Sequence, residues 1–472
     1  MVAEADKIKH LYYRAGFGVA SANWGETKDI SSVREALFHP GSEYKHLQAI
    51  TTEEVAAAKA QIKAAPKADV KDLKQLLKQN LFELNNRWLN EMIHSEAQLQ
   101  EKMALFWHGH FACRSVNPYY DQLYLDVIRK NALGDFRTLL SEVSRSPAML
   151  QFLNNQQNKK GHPNENFARE VMELFTLGRG NYTEQDIKEA ARAFTGWGFD
   201  QEGQFKFRVH HHDFGVKNFQ GKTGDFSGED ILKIILEKKE CAFFITKKIY
   251  RFLVNDEIDV SIVQSLSEKF YQSGYNITSL LKEIFSSAWF YDPRNIGVKI
   301  KSPVELLTGM LRIIPADFTD TQSTLFIQRS LGQVLLNPPN VSGWQGGKNW
   351  IDSSSLLFRM RLAQIIYFDK EIDFTPKEET PEMGIPKWKM ADEFIKKIAS
   401  GKLSATSDWT KMVNYFASSS NKIQDMAKVL LARPANAAAL SAVSLTADTS
   451  SGENEIKSIA IQIMSLPDFQ LC

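Results

Sequence analysis

Residues 96–111 read EAQLQEKMALFWHGHF, and this stretch decides the fold class. Its large apolar side chains recur at intervals of four, three and one residues, a spacing that places them on one face of an α-helix. They are Leu99, Met103, Phe106 and Trp107. Ser95 followed by Gln98 predicts a capping box at the start of this helix. We therefore expect an amphipathic helix whose apolar face is closed to solvent.

Helical signals continue on both sides of this stretch. Thr183 followed by Asp186 predicts another helix start, while Gly178 and Gly196 predict helix ends. No segment shows the sustained alternation of polar and apolar residues that is typical of strands. The expected fold class is mostly α, a large multi-helix, bundle-like domain with long irregular loops and at most a small hairpin.

The chain is expected to form one large domain over residues 1–472. Within it we expect two helical halves, an N-terminal half (1–197) and a C-terminal half (229–472). An irregular seam rich in Gly, Phe and His (198–228) would separate them. A second irregular stretch, NPPNVSGWQGGKNWID at 337–352, contains paired prolines and three glycines that exclude a regular helix. Residues 139–146 and 280–287 share a pattern of paired Leu, Glu, an apolar residue and Ser. This recurrence indicates either a duplicated helical unit or two unrelated amphipathic helices.

Composition excludes several classes of protein. Among 472 residues, 57 Lys and Arg balance 56 Asp and Glu, so charge gives no argument for a nucleic-acid partner. Three cysteines are too few for a disulfide framework. No apolar run approaches the roughly 20 residues that a membrane span needs. We expect a cytoplasmic protein from the sequence as given, or an exported one if an N-terminal signal has been removed.

The densest candidate for chemistry is FWHGHF at residues 106–111. On a continuous helix His108 and His110 would point in different directions, but Gly109 can break the helix. In an extended segment both imidazoles would face the same way and could meet a metal or a substrate. The alternative is a helix end, where one histidine caps carbonyl groups and the other packs among aromatic rings.

A second candidate is the run HPNENFARE at residues 162–170. Its helix would carry an amide and two carboxylates along one strip, from Asn166 through Glu170 to Glu173. Such carboxylates serve as ligands or as general bases beside an arginine, here Arg169. The alternative is local capping by Asn164, with Glu165 paired to Arg169.

The third candidate is HHHDFGVK at residues 210–217, where a loop could aim imidazole and carboxylate groups inward. A solvated polar loop is the alternative. The nucleophile elbow, the phosphate-binding loop, the HExxH zinc motif, the dinucleotide fingerprint and the CxxCH haem motif are all absent from the sequence.

Several long blocks together resemble the bacterial domain-of-unknown-function 1800 family. They are HLYYRAGFG, MALFWHGHF, PNENFARE with ELFTLG, YTEQDIKEAARAFTGW, HDFGVKNFQGKTG, KSPVEL and PPNVSGWQGGKNWI. The resemblance runs from about His10 to the C-terminus, with small departures at Gln345 and Phe214. It implies a largely helical fold without an established activity. It also implies a protein partner resembling the alkaline-phosphatase and sulfatase group, because relatives are often encoded beside such a protein.

Three hypotheses for function remain open. In the first, the chain is a metal-dependent enzyme with a His/Glu/Asp site in a cleft between the two halves. Its expected catalytic residues are His108, His110, Glu170 and Arg169, its metal ligands are His110, His212 and Asp213, and its substrate contacts are Asn164, Asn166, Lys217 and Trp344. In the second, a non-catalytic helical scaffold presents its loops to a partner protein. The third is a noncovalent haem protein with an axial histidine from FWHGHF.

Overall fold

A computed structural model describes the whole chain except residues 1, 27, 42, 52, 58, 59, 61–68, 116, 369–402 and 404. Mostly helical structure confirms the predicted fold class. The α-helices are Glu4–Ala15, Ile30–Phe38, Asp69–His94, Gln98–His110, Pro118–Asn131, Phe136–Arg145, Pro147–Phe152, Asn166–Glu170, Glu184–Ala193, Gly228–Leu236, Lys239–Leu253, Val260–Gln272, Ile277–Ser286, Pro303–Ile313, Gln322–Leu331, Ser353–Tyr367, Thr410–Phe416, Lys422–Leu430, Ala437–Thr446 and Gly452–Met464. A π-helical turn, Val171–Thr176, continues the helix Asn166–Glu170 directly.

Strands in the described residues occur only as three short antiparallel pairs. Trp197–Phe199 pairs with Phe205–Phe207, Lys217–Phe219 with Lys222–Gly224, and Ala316–Phe318 with Ala405–Ser407. Two of these hairpins lie in the seam, which the sequence marks as irregular. Between them the chain makes the 3₁₀ turn Val209–His211.

Side-chain caps fix most helix starts as the sequence indicates. Thr183 and Asp186 form the predicted capping box, and Gly178 and Gly196 follow helix ends with positive φ. The boundary near Ser95 is different, because the helix begins at Gln98. Ser95 instead accepts a hydrogen bond from the Ala97 amide at 3.0 Å. The expected burial is confirmed, since Met103, Phe106 and Trp107 all lie in the core.

The recurrence in the sequence extends to the three-dimensional structure. The helices Phe136–Arg145 and Ile277–Ser286 are both capped by a side chain immediately before them, Asp135 and Asn276, and these two caps meet in an antiparallel bridge. Two preceding helices recur in the same order, since Gln98–His110 and Pro118–Asn131 correspond to Lys239–Leu253 and Val260–Gln272 at a nearly constant offset. The structure therefore supports a duplicated three-helix unit, in which FWHGHF lies on the first helix of the first copy.

Candidate functional site

The FWHGHF segment ends the helix Gln98–His110, which runs unbroken through Gly109. The Phe111 amide still donates to the Trp107 carbonyl at 2.8 Å, which is a helical hydrogen bond. The extended conformation of this segment is therefore not formed, and the structure agrees with the alternative of a helix end. Because side chains two positions apart on a helix diverge by about 200°, His108 and His110 enter different environments.

His110 packs against the π-helical turn Val171–Thr176. Its Nε2 donates to the Phe175 carbonyl at 3.1 Å, and its Nδ1 accepts from the Lys248 ammonium at 3.1 Å. Lys248 also donates to the Leu174 carbonyl at 3.0 Å. His110 and Lys248 thus supply donors to consecutive carbonyls near a helix C-terminus, a position that favours a cation.

Burial sets the charge of this pair. It is the main cause that holds the pKa of His110 well below its usual range, and the neighbouring Lys248 charge adds to it. Burial also lowers the pKa of Lys248 to about 8. At neutral pH the pair is therefore a neutral imidazole beside a lysine that is still mostly protonated.

His108 lies on the opposite side of the helix, wholly buried among aromatic rings. The Trp344 ring stacks on it with centroids 5.6 Å apart, and Trp88 lies 5.2 Å away. Neither ring nitrogen has a hydrogen-bond partner among the described residues. Burial lowers the pKa of His108 to about 3, so the ring is neutral at physiological pH. The structure therefore brings together one expected catalytic residue and one expected substrate contact.

Two glycines allow the Trp344 loop to approach the helix. A Cβ at Gly343 would lie only 2.2 Å from the Gly109 carbonyl oxygen, and Gly343 has φ of +72°. A side chain at position 343 is excluded both by this contact and by the backbone conformation. FWHGHF and PPNVSGWQGG, which are distant in the chain, therefore form one packed unit.

Local hydrogen bonds and ion pairs engage the polar side chains around the start of the helix Asn166–Glu170. The Asn164 side chain accepts from the Asn166 amide at 3.0 Å. Asn166 in turn donates to the Leu153 carbonyl at 3.4 Å. Arg169 binds both carboxylate oxygens of Glu184 at 2.9 Å. These contacts agree with the capping alternative for this stretch.

Glu170 differs from its neighbours in this strip. It is half-buried and makes no hydrogen bond or ion pair within the described part of the chain. Burial, followed by repulsion from Glu173, raises its pKa. Glu173 itself is held by Arg179 at 2.6 Å and by the Tyr182 hydroxyl at 2.8 Å. The expected amide and carboxylates therefore share a strip, but only Glu170 has no partner.

His212 and Asp213 fasten the seam to the helix Glu184–Ala193 and the turn after it. His212 is buried and donates through Nδ1 to the Thr195 carbonyl at 2.8 Å. Asp213 accepts from Nε and Nη2 of Arg192 at 2.8 and 3.3 Å. Hydrogen bonding to Arg192 is the main cause that lowers the pKa of Asp213.

Lys217 is also an anchor of the seam. It is fully buried, and its ammonium forms an ion pair with Asp225 at 3.0 Å. The side chain was expected to steer an anionic substrate. In the structure it links the start of one hairpin strand to the residue that follows the second.

Between these anchors the seam exposes a group of apolar side chains, which we call the seam patch. Its members are 41 to 65% exposed and comprise Phe207, Val209, Phe214 and Val216. Both phenylalanine rings contact the buried His212 ring, with centroids 5.0 and 4.7 Å away. The two phenylalanines of the patch therefore lie on either side of His212.

Sequence reasoning missed the seam patch and Lys248. The stretch FKFRV at 205–209 alternates apolar and basic residues, and this period of two is the signal that could have revealed a strand with one exposed apolar face. Lys248 gave no such signal. It stands beside Lys247 on an amphipathic helix, and only the tertiary structure places it against His110.

The quoted sequence blocks thus meet in one helical architecture. A family model described as "Protein of unknown function (DUF1800)" matches residues 10–471. The chain belongs to the DUF1800 family. No similar curated protein and no similar solved structure is found.

The expected metal site is not assembled in this DUF1800 chain. Among the residues that the structure describes, no group of three or more His, Cys, Asp or Glu side chains is placed to hold a metal ion. His110, His212 and Asp213 each have other partners, as described above. The described helices also include none that is long and apolar enough to cross a membrane.

Proposed function

We propose that this DUF1800 chain is a non-catalytic binding protein that recognises a partner protein through the seam patch. The observation that carries the proposal is the patch itself. Four of the ten large apolar side chains that are exposed in the described residues lie within ten consecutive positions. Contiguous exposed apolar surface of this kind is typical of protein interaction sites.

The patch is held rigid before any partner arrives. His212 and Asp213 connect it to Thr195 and Arg192. The Lys160 amide, on a neighbouring turn, donates to the His211 carbonyl at 2.8 Å. A pre-formed surface loses little conformational entropy on binding, which favours affinity. Rigid anchoring therefore supports a role in recognition for the polar motifs around the patch.

Charge around the patch indicates the chemistry of the partner. Exposed basic side chains surround it, and Lys159 and Lys160 make no ion pair in the described part of the chain. The other basic neighbours are Lys206, which forms an ion pair with Asp200 at 3.3 Å, and Arg208, which donates to the Phe199 carbonyl at 3.2 Å. The complementary surface is an apolar centre with an acidic rim. Family resemblance suggests a partner related to the alkaline-phosphatase and sulfatase group.

Binding to the neighbouring-gene protein of that group tests the proposal. Titration calorimetry should show binding that weakens at least tenfold when Phe207 and Phe214 are both changed to Ser, since central aromatic anchors carry most of the affinity. The matched control changes Val260 and Leu445 to Ser, because both are exposed elsewhere on the chain. Equal affinity of the patch variant and the wild type would exclude the proposal. The proposal would also be excluded if the patch variant kept its affinity for the partner protein but lost binding to phosphatidylglycerol vesicles. That result would identify the patch as a membrane-binding surface.

A second candidate keeps an enzymatic role for His108. It is favoured by one observation, the fully buried imidazole that has no hydrogen-bond partner beneath Trp344. Metal analysis of the purified protein tests the metal-dependent form of this candidate. Stoichiometric metal that is lost in His108→Ala would support it, and purified wild-type protein that contains no metal would argue against it.

A further inference from the structure

Two family blocks that the proposed function does not use meet in the core. HLYYRAGFG contributes Arg14, KSPVEL contributes Lys301, and the helices Gln98–His110 and Ser353–Tyr367 contribute Lys102 and Arg359. Each of these four side chains is at most 3% exposed. We call them the buried basic cluster. Fully buried Lys and Arg are rare unless they are paired, so their partners decide what this region does.

One carboxylate, Glu305, serves the cluster. It forms an ion pair with Lys102 and accepts from the Ser302 amide at 2.7 Å. Burial alone would raise its pKa, but Lys102 and Ser302 together hold it at about 2. Glu305 therefore stays ionised at neutral pH, and its charge is already paired with Lys102. An ionisable group of Cys472 also acts on Arg14 and Lys301, but it makes no ion pair with either of them in the described residues.

Arg359 and Lys301 are left without a carboxylate of their own. Arg359 donates from Nε to the Gln470 side-chain oxygen at 3.2 Å and from Nη2 to the Lys301 carbonyl. The Lys301 ammonium donates to the Phe469 carbonyl at 2.7 Å. The hydrogen bonds of both cations thus go to neutral acceptors. At longer range, Cys472 and then Glu305 attract Lys301, while Glu305 attracts Arg359.

Four buried donors of the cluster and its partner Gln470 have no hydrogen-bond partner among the described residues. They are Nη1 of Arg359 and Nε2 of Gln470, and on the Arg14 side of the cluster Nε and Nη1 of Arg14. Buried donors of this kind are almost always satisfied in folded proteins. Each of these donors requires an acceptor. A water molecule would satisfy the hydrogen bonds but not the excess positive charge, whereas an anion satisfies both.

We propose that Arg359 and Gln470 bind a small inorganic anion of the chloride class, with Lys301 contributing its charge. Arg359 Nη1 and Gln470 Nε2 supply the two donors, and the existing bond between Arg359 and Gln470 holds them side by side. The expected effect of the bound anion is to stabilise the folded core. The site is independent of the seam patch and of the proposed partner.

Thermal unfolding in different sodium salts at constant ionic strength tests the site. A specific ligand of the folded state raises the melting temperature with the logarithm of its concentration, so chloride or bromide should raise it by about 2 °C for each tenfold increase above the dissociation constant. Gluconate, a large polyhydroxylated carboxylate outside the proposed class of small inorganic anions, should have no such effect. Identical melting temperatures in chloride, bromide and gluconate would overturn the proposal.

Gln470→Glu provides the decisive variant, because its carboxylate would sit against Arg359 in place of the anion. Its melting temperature should no longer depend on chloride, while the control Gln264→Glu, on an exposed helix position, should respond like the wild type. Unchanged chloride dependence in Gln470→Glu would exclude the site. If this variant fails to fold, bromide-soaked wild-type crystals decide the question. An anomalous peak between Arg359 and Gln470 supports the proposal, and its absence contradicts it.

Discussion

Trp344 stacks on His108 with ring centroids 5.6 Å apart and planes inclined by 25°. One residue belongs to the helix Gln98–His110 and the other to the glycine-rich stretch at 337–352. Their contact shows that the irregular stretch packs against the core at Trp344, where it covers an imidazole that has no hydrogen-bond partner in the described residues. Loop and helix therefore depend on each other for stability.

Gly343→Ala should destabilise the protein strongly. The added Cβ would lie 2.2 Å from the Gly109 carbonyl, so the loop must move away from His108. We expect the free energy of unfolding to fall by about 3 kcal/mol or more, as measured by urea denaturation. Gly346→Ala is the matched control, because Gly346 has a nearly identical φ of +73° but nothing within 4 Å of a Cβ. Equal losses in the two variants would show that backbone strain alone matters.

His108→Phe should be tolerated and should make stability less sensitive to acid. The pKa of His108 is lowered to about 3 in the folded state, whereas that of an unfolded histidine is about 6.5. Between these values the unfolded state binds the extra proton, so stability falls as pH falls, by up to about 1.4 kcal/mol per unit for this one group. The variant should lose less stability than the wild type between pH 6.5 and 5 in urea titrations. Parallel curves for the two proteins would contradict the assignment.

The sequence predicts more of the fold than of the site. Apolar spacing and caps such as Thr183 with Asp186 are local signals, and the structure confirms them. Spacing also predicts the burial of Trp107. By contrast, the partner of His110 is Lys248, and no local pattern links positions so far apart. The sequence left open whether the helix continues through Gly109 for a related reason, because tertiary packing can outweigh the intrinsic preference of one glycine.

Asp213→Asn should loosen the seam without unfolding the protein. The change removes the charge that Arg192 holds at 2.8 Å, and Asp213 is partly exposed, so the free energy of unfolding should change by only about 1 kcal/mol. Hydrogen exchange should accelerate in the seam between residues 209 and 217. Glu184→Gln, which breaks the exposed pair with Arg169, is the control and should leave exchange in the seam unchanged. Uniform acceleration across the chain would show that Asp213 stabilises the whole fold instead.

Lys248→Met should remove a rise in stability at alkaline pH. The pKa of Lys248 is lowered to about 8 by burial, while that of an unfolded lysine is about 10.4. Between these values the unfolded state holds one proton more than the folded state, so the wild type should gain stability as pH rises from 8 to 10. Met fills the same space without a charge but leaves the Leu174 carbonyl and His110 Nδ1 without a donor, which should lower stability at pH 7 by about 1 to 3 kcal/mol. Lys247→Met, one position earlier and exposed, is the control and should keep the wild-type pH dependence. If Lys248→Met retains the alkaline rise, another group causes it, and the description of Lys248 as a desolvated cation beside a neutral His110 is wrong.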